Sequence, residues 1–316
     1  MFVAEAVRQS PQLKQRLKEI RPFIGNTPLF PLNRISPSPG VRILAKLEWQ
    51  QLGGSVKARP AFQIIHSAIE QGRLFPERRL LDATSGNTGI AYAAIGAALG
   101  IPVTLCLPEN ASQERKQLLQ ALGAEIIYTS RFESTDGAQE KARELAERYP
   151  ERYFYADQYN NPANWQAHYY GTAEEIYHQT GGRITHFVAG LGTTGTFVGT
   201  GRRLKERVPG VRLIALQPDT ALHGLEGWKH LETARVPGIY DPQLADAVLP
   251  VDTAEAYALI RRVAREEGLL LSPSAAANLA GAVKVAREIE QGMVVTVFPD
   301  NADKYGEVLR RIFAHP

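Results

Sequence analysis

An α/β fold with mostly parallel sheets flanked by helices is what the sequence predicts, and three observations carry it. Short apolar runs rich in Val, Ile and Leu alternate with longer amphipathic stretches, which is the pattern of βαβ units around a parallel sheet. At roughly 150 residues per domain, the 316 residues divide into about two domains, enough chain for a substantial core. The composition is that of a globular protein: 44% hydrophobic and 22% charged residues, with 27 Gly and 20 Pro, exclude collagen-like and low-complexity chains.

In chain order, strands are expected at Val41–Leu47, Leu80–Ala83, Val103–Leu107, Glu125–Tyr128, Thr185–Ala189, Arg212–Leu216 and Val294–Phe298. Between them helices are expected at Ala61–Gln71, Gly89–Leu99, Ala111–Leu122, Gly137–Glu147, Asn164–Gln179, Gly195–Glu206, Thr253–Glu267 and Ala275–Glu290. Asn110 with Gln113, and Asp252 with Glu255, each place a capping acceptor three residues before a side chain that can answer it; Gly123 and Gly268 supply stops. A composition shift falls near Arg148–Asn164, where Tyr, Asn, Asp and Pro crowd together, and the main domain boundary is expected there. The division this gives is a smaller domain at 48–155 and a larger one made of 1–47 plus 156–316.

Lys plus Arg is 36 and Asp plus Glu is 33, a net charge of +3, too little for the concentrated positive field of a nucleic-acid binder. The single cysteine, Cys106, lies in Val103-Thr-Leu-Cys-Leu-Pro108, which reads as a buried strand. No intramolecular disulfide is available to it, and a reducing cytoplasm fits. Met1–Lys18 lacks the apolar block of a signal peptide. Gly89–Pro108 is apolar enough to suggest a membrane span, but Leu99-Gly-Ile-Pro102 interrupts it where a helix hands over to a strand. The seven histidines, at 66, 168, 178, 186, 223, 230 and 315, show no metal-ligand pairing, so no metal is expected. No G-x-S-x-G elbow appears either.

Three segments can carry chemistry. In Gly53-Gly-Ser-Val-Lys57-Ala-Arg59-Pro, two glycines free the backbone and a lysine opens an apolar helix. A helix N-terminus lowers the pKa of an amine and so favours a Schiff-base nucleophile; a solvated lysine beside a turn is the competing reading. In Ala83-Thr-Ser-Gly-Asn-Thr-Gly89, hydroxyl, amide and glycine residues join a strand to a small-residue helix, a loop suited to gripping a carboxylate or phosphate, or else an elaborate cap. In Val188-Ala-Gly190-Leu-Gly192-Thr-Thr-Gly195-Thr196, the glycines formally fit G-x-G-x-x-G, which a nicotinamide-dependent dehydrogenase would use. Such a site wants an acid at the end of the next strand, whereas Arg212–Leu216 runs into Gln217-Pro-Asp219, with Asp219 late and after a proline. Thr193, Thr194 and Thr196 suit a terminal phosphate instead, with a plain tight turn as the alternative.

Taken together, Ile24-Gly-Asn-Thr-Pro-Leu29, Gly53-Gly-Ser-Val-Lys57, Thr84-Ser-Gly-Asn-Thr-Gly89 and Gly192-Thr-Thr-Gly-Thr196 resemble, in order and spacing, the fold type II pyridoxal-phosphate enzymes. That is the two-domain, tryptophan synthase beta-like fold, here with the larger domain expected to bind the cofactor. Pro108-Glu-Asn-Ala-Ser-Gln-Glu-Arg115, Asp157-Gln-Tyr-Asn-Asn-Pro162 and Thr180-Gly-Gly-Arg-Ile-Thr-His-Phe187 look particularly like the B-type cysteine synthases, which are of the O-acetylserine sulfhydrylase type. The resemblance runs from about Ile20 to Tyr305.

It implies that Lys57 carries pyridoxal 5'-phosphate as a Schiff base, that Asn87 bonds the ring hydroxyl, and that Gly192, Thr193, Thr194, Gly195 and Thr196 cradle the phosphate. Thr84, Ser85, Thr88 and Gln158 would hold the substrate carboxylate. Alignment from Glu267-Gly268 sets Ser274 against the pyridine nitrogen, with Ser272 the other candidate. Two departures stand: the family usually has Asp where this chain has Ala58, and its glycines around the pyridine-facing serine are replaced by Ser272, Pro273 and Ala276.

The implied reaction is β-replacement on an O-acetyl- or O-phospho-L-serine by a sulfur donor, giving L-cysteine, with Lys57 as base. Cystathionine β-synthase or cysteine desulfhydrase chemistry on the same scaffold is the alternative within the family. A homodimer is expected by resemblance. The segment Gln217-Pro-Asp-Thr-Ala-Leu-His223-Gly-Leu-Glu-Gly-Trp228-Lys229-His230 looks like cysteine synthases that take sulfur from a carrier protein as a thiocarboxylate; a surface loop with a packed tryptophan is the competing reading.

Overall fold

Two sheets organise the chain. The structure, a computed structural model, describes residues 11–314; His315 and most of Met1–Lys18 lie outside the described residues. The first half runs α1 (Pro11–Ile20), β1 (Leu29–Pro31), β2 (Val41–Leu47), α2 (Ala58–Glu70), β3 (Arg79–Ala83), α3 (Asn87–Leu99), β4 (Val103–Pro108), α4 (Gln113–Ala121), β5 (Glu125–Thr129), α5 (Ser134–Arg148) and β6 (Tyr153–Tyr155). The second half runs α6 (Pro162–Ala167), a π-helical segment His168–Thr172, α7 (Ala173–Thr180), β7 (His186–Gly190), α8 (Gly195–Arg207), β8 (Arg212–Pro218), β9 (Ala247–Val251), α9 (Thr253–Glu266), α10 (Pro273–Arg287), β10 (Gly292–Phe298) and α11 (Gly306–Phe313).

The smaller unit comprises residues 11–25 and 51–164. Its four strands are ordered β5-β4-β3-β6 and all run parallel. β4 is buried at every position, as a strand covered on both faces must be. α3 is apolar almost all round, with Ile90, Tyr92, Ile95 and Leu99 buried, and it ends on Gly100 at φ +72°. Leu13 and Leu17 of α1 bury into the same core as Ile65, Ile69 and Ile95. That burial groups residues 11–25 with the smaller unit, whereas the sequence reading set 1–47 with the larger one.

The larger unit comprises residues 26–50 and 165–314. Its six strands are ordered β1-β2-β10-β7-β8-β9; β1 pairs antiparallel with β2 and the other pairs are parallel. Val188, Leu216, Leu279, Val294 and Phe298 meet in its core. Burying each such side chain contributes about 1.5–3 kcal/mol.

In both sheets the order reverses beside one strand. β3 lies between β4 and β6, and β7 between β8 and β10, so each sheet has a switch point at the carboxyl end of that strand. Ligands bind at such points in open parallel sheets, because the two loops leave in opposite directions and open a crevice. The loop after β3 is Thr84–Gly89 and the loop after β7 is Leu191–Thr196.

Several expectations shift. The unexpected strands β1, β6 and β9 are all sheet edges, short and, in β9, carrying Pro250, which a central strand would not tolerate. The cap of α4 is Ser112, whose Oγ accepts from Arg115 N, rather than Asn110. Asp252 caps α9 as expected, accepting from Glu255 N at 2.8 Å. The helix expected over Asn164–Gln179 begins earlier and is interrupted by the π-helical turn.

Candidate active site

In the smaller unit, Gly53 and Gly54 take φ of +88° and +61°, a turn that side chains with a Cβ adopt only under strain. The turn delivers Lys57 to the N-cap position of α2, half-buried, with its backbone N–H donating to Ser55 Oγ at 3.3 Å. Ala58 is fully buried in the apolar core. A carboxylate at that position would lie among Ala61, Ala91 and their neighbours without solvation, so alanine suits this core.

The loop after β3 is organised by one hydroxyl. Thr84 Oγ1 accepts from Gly86 N at 3.0 Å and Gly89 N at 3.2 Å, which leaves the hydroxyl proton for a further acceptor. Ser85 is exposed, Asn87 half-buried and Thr88 buried. A Cβ on Gly89 would come within 2.7 Å of Thr84 Cγ2 and 2.9 Å of Leu105 Cδ1, so only glycine lets α3 start this close to β4. Thr88 Oγ1 donates to Gln158 Oε1, and Gln158 Nε2 donates to Ala83 O, both at 2.7 Å. Gln158 follows β6, the strand across the switch point from β3.

Beneath this loop Asp82 is fully buried. Burial pushes its carboxyl from 3.8 up to about 8, only partly opposed by bonds from Ala83 N at 2.8 Å and Gln158 N at 3.3 Å and by Tyr92. At neutral pH this carboxyl holds a proton.

In the larger unit the loop after β7 is equally constrained. A Cβ on Gly190 would fall 2.0 Å from Trp228 Cε2, and one on Gly192 would fall 2.2 Å from Gly227 O. Lys229 N donates to Leu191 O at 2.8 Å. Thr194 takes φ +71°, unusual for a β-branched residue, immediately before the first turn of α8. Thr193 and Thr194 are buried, and Thr194 Oγ1 is buried without a hydrogen-bond partner. A buried hydroxyl in that state costs about 1–3 kcal/mol, and a phosphate oxygen at the N-terminus of α8 would supply its partner. Thr196 Oγ1 lies 3.3 Å from Nε2 of buried His168.

Ser272 Oγ accepts from Ala275 N at 3.2 Å and so serves as the cap of α10. Ser274 is buried in the first turn, 3.3 Å from Ser272 Oγ. The structure thus collects Thr84, Ser85, Asn87, Thr88 and Gln158 at one switch point. Gly192–Thr196 stands at the other, with Ser274 on a helix of the same unit. Sequence reasoning missed Asp82, His168 and Asn278. The last had a signal, a lone amide in the apolar run Ala275-Ala-Ala-Asn-Leu-Ala-Gly281.

The segment after β8 resolves towards packing. Trp228 and Lys229 are each 8% exposed, so Lys229 is no rim residue; His223 is half-buried, with Nδ1 accepting from Leu225 N at 3.1 Å. Among the described residues no group of three or more His, Cys, Asp and Glu could hold a metal ion, and no helix is long and apolar enough to cross a membrane.

In the larger unit, the unsatisfied buried hydroxyl of Thr194 before α8 fits a phosphate such as that of pyridoxal 5'-phosphate; in the smaller unit, Lys57 at the N-terminus of α2 fits the amine that such a cofactor's aldehyde requires. The chain belongs to the family of pyridoxal-phosphate dependent enzymes, whose pattern matches residues 20–300. It is 48% identical to the cysteine synthase of Aquifex aeolicus over 290 residues, covering 90% of this chain and 89% of that protein. It is 40% identical to cysteine synthase B of Escherichia coli over 284 residues, 89% of this chain and 92% of that one. Among solved structures, the cysteine synthase of Entamoeba histolytica superposes with a TM-score of 0.84 at 32% identity, covering 95% of each chain. These likenesses make the α/β fold that of the type II pyridoxal-phosphate enzymes, and the chain a pyridoxal-phosphate-dependent enzyme.

Proposed function

We propose that the chain is a cysteine synthase, exchanging the β-substituent of an O-activated L-serine for sulfur. The observation that carries this is the likeness to cysteine synthases along about nine-tenths of the chain, with Lys57 at the N-terminus of α2. Lys57 binds the cofactor through its amine, Asn87 bonds the ring hydroxyl, and Gly192, Thr193, Thr194, Gly195 and Thr196 hold the phosphate, chiefly in the larger domain. Ser274, rather than the capping Ser272, faces the ring nitrogen. When bound, pyridoxal 5'-phosphate supplies an electron sink for the pair left at the substrate Cα.

The substrate carboxylate binds at Thr84, Ser85, Thr88 and Gln158. Ser85 presents an exposed hydroxyl and Thr84 its remaining proton, while Thr88 and Gln158 keep the loop in shape. Lys57 Nζ would serve as the base that takes the Cα proton. The β-substituent leaves with its bonding pair, the sulfur nucleophile forms the new bond at Cβ, and Lys57 returns the proton to Cα. Ser274, a neutral hydroxyl, would meet the ring nitrogen without placing a charge there. The enzyme works as a homodimer in the cytoplasm, and a sulfur-carrier protein is one donor it accepts.

Steady-state assay with O-acetylserine and O-phosphoserine, each with sulfide, tests the reading. Cysteine is expected from at least one of them. Absence of cysteine from both, with cofactor bound, would overturn it.

A further inference from the structure

Asn278 is 2% exposed and lies in the middle of an alanine-rich helix, where a polar side chain is tolerated only if its hydrogen bonds are made. They are made to two different strands. Asn278 Oδ1 accepts from Gly190 N at 2.7 Å, and Asn278 Nδ2 donates to Val297 O at 2.6 Å. The parallel pairing of β7 with β10 runs from His186 with Val294 to Val188 with Thr296 and goes no further. Beyond that point the two strands separate into the switch-point crevice, and the Asn278 amide bridges them where the ladder has stopped.

The same helix face carries two other relevant residues. Ser274 lies four residues earlier and Gly281 three later, spacings that share one face. A Cβ on Gly281 would lie 2.3 Å from Leu216 Cδ1, so α10 is pressed onto β8 there. Leu216 O in turn accepts from Leu191 N at 2.9 Å. The root of the loop, Gly190 and Leu191, is therefore fixed to α10 through Asn278 and to β8 through Leu216.

We infer that Asn278 is a positioning residue for the cofactor, tying the root of the Gly192–Thr196 loop to the helix that presents Ser274 and so holding the phosphate and ring-nitrogen anchors in register. This rests on the reading that Gly192–Thr196 grips the phosphate. Removing Asn278 frees the loop root without touching any group that meets the cofactor.

Holoenzymes of wild type, Asn278→Ala, Asn278→Asp and Thr194→Val test this. The readouts are the phosphorus resonance of the bound cofactor, the rate of cofactor loss on dialysis read by absorbance, and the thermal midpoint. Asn278→Ala is expected to shift or broaden the resonance and speed cofactor loss tenfold or more, as losing a buried hydrogen bond implies. Asn278→Asp keeps the acceptor for Gly190 N but turns a second oxygen against Val297 O, so the bridge is lost and it is expected to release cofactor about as fast as the alanine variant. Should Asn278→Ala fail to fold, Asn278→Ser takes its place with the same expectation. An alanine variant that loses only thermal stability, with resonance and release unchanged, overturns the inference and leaves the phosphate reading intact. An aspartate variant that holds cofactor as wild type does overturns the two-strand bridge as the operative contact. A Thr194→Val enzyme identical to wild type in resonance and release overturns the phosphate reading, and the inference with it.

Discussion

Thr88 Oγ1 and Gln158 Oε1 lie 2.7 Å apart, a buried bond between residues 70 positions apart in sequence. With Gln158 Nε2 on Ala83 O, it fastens the first turn of α3 to the end of β3. Gln158→Ala would leave the Thr88 hydroxyl and the Ala83 carbonyl without these partners. It is expected to cost about 1–3 kcal/mol in urea unfolding and to raise KM for the amino-acid substrate several-fold while cofactor stays bound. An unchanged KM and unfolding midpoint would show that the loop does not depend on this bond.

Thr84 and Ser85 are neighbours with separate tasks. Thr84 Oγ1 accepts two backbone N–H groups, so Thr84→Val should cost about 0.5–2 kcal/mol, the usual worth of a cap. Exposed Ser85 can be changed to Ala with little loss of stability, but KM for O-acetylserine should rise roughly tenfold, the worth of one charge-assisted bond. Thermal melts and initial rates on both variants check the split. Ser85→Ala releasing cofactor instead would mean that the two loops have been assigned backwards.

Asp82 gives stability a pH dependence of definite sign. Its folded pKa, about 8, lies above the ordinary 3.8, so between those values the folded chain holds a proton that the unfolded chain has released. Its contribution is full below about pH 4 and is lost as pH rises towards 8, with a slope approaching about 1.4 kcal/mol per pH unit. Urea midpoints from pH 5 to 8 should fall for wild type and flatten for Asp82→Asn.

On the proposed reading, Lys57→Ala removes the amine that binds cofactor and moves the proton, but no large apolar group. A folded protein with a near-normal melting temperature and no turnover is expected, with no cofactor fixed to the chain by borohydride. Near-normal cysteine synthesis without added amine would defeat the assignment.

Much of this was legible in the sequence because strand-to-helix loops advertise themselves locally. Thr84–Gly89 and Gly192–Thr196 stand out as polar and glycine runs between apolar ones, and each lies at a switch point. What was not legible depends on pairing across long separations. Edge strands such as β6 and β9 have too few residues to show a period. The protonated state of Asp82 follows from burial beneath a loop that only tertiary structure places there. The move of residues 11–25 to the smaller unit rests on Leu13, Leu17 and Ile24, whose partners cannot be read from their own segment.

The last prediction separates two halves of the segment between Gln217 and His230. The Lys229 backbone N–H that holds Leu191 survives in Lys229→Ala, so that variant removes only the buried side chain beside this anchor; it should lower the melting temperature and slow the reaction with every sulfur donor alike. His223 is half-buried and its pKa is lowered, by burial first and by His230 second, so it is neutral at pH 7. A neutral imidazole at this position can meet a donor by hydrogen bonding or packing, not by charge. On the proposed reading, small free sulfide needs no such contact, whereas a thiocarboxylate on a carrier protein would settle against the segment. His223→Ala is therefore expected to lower kcat/KM for the protein-borne donor about tenfold, the scale of one lost hydrogen bond, with the sulfide rate unchanged and little effect of salt. Equal losses for both donors would assign His223 to packing, alongside Trp228, and remove the segment from donor choice.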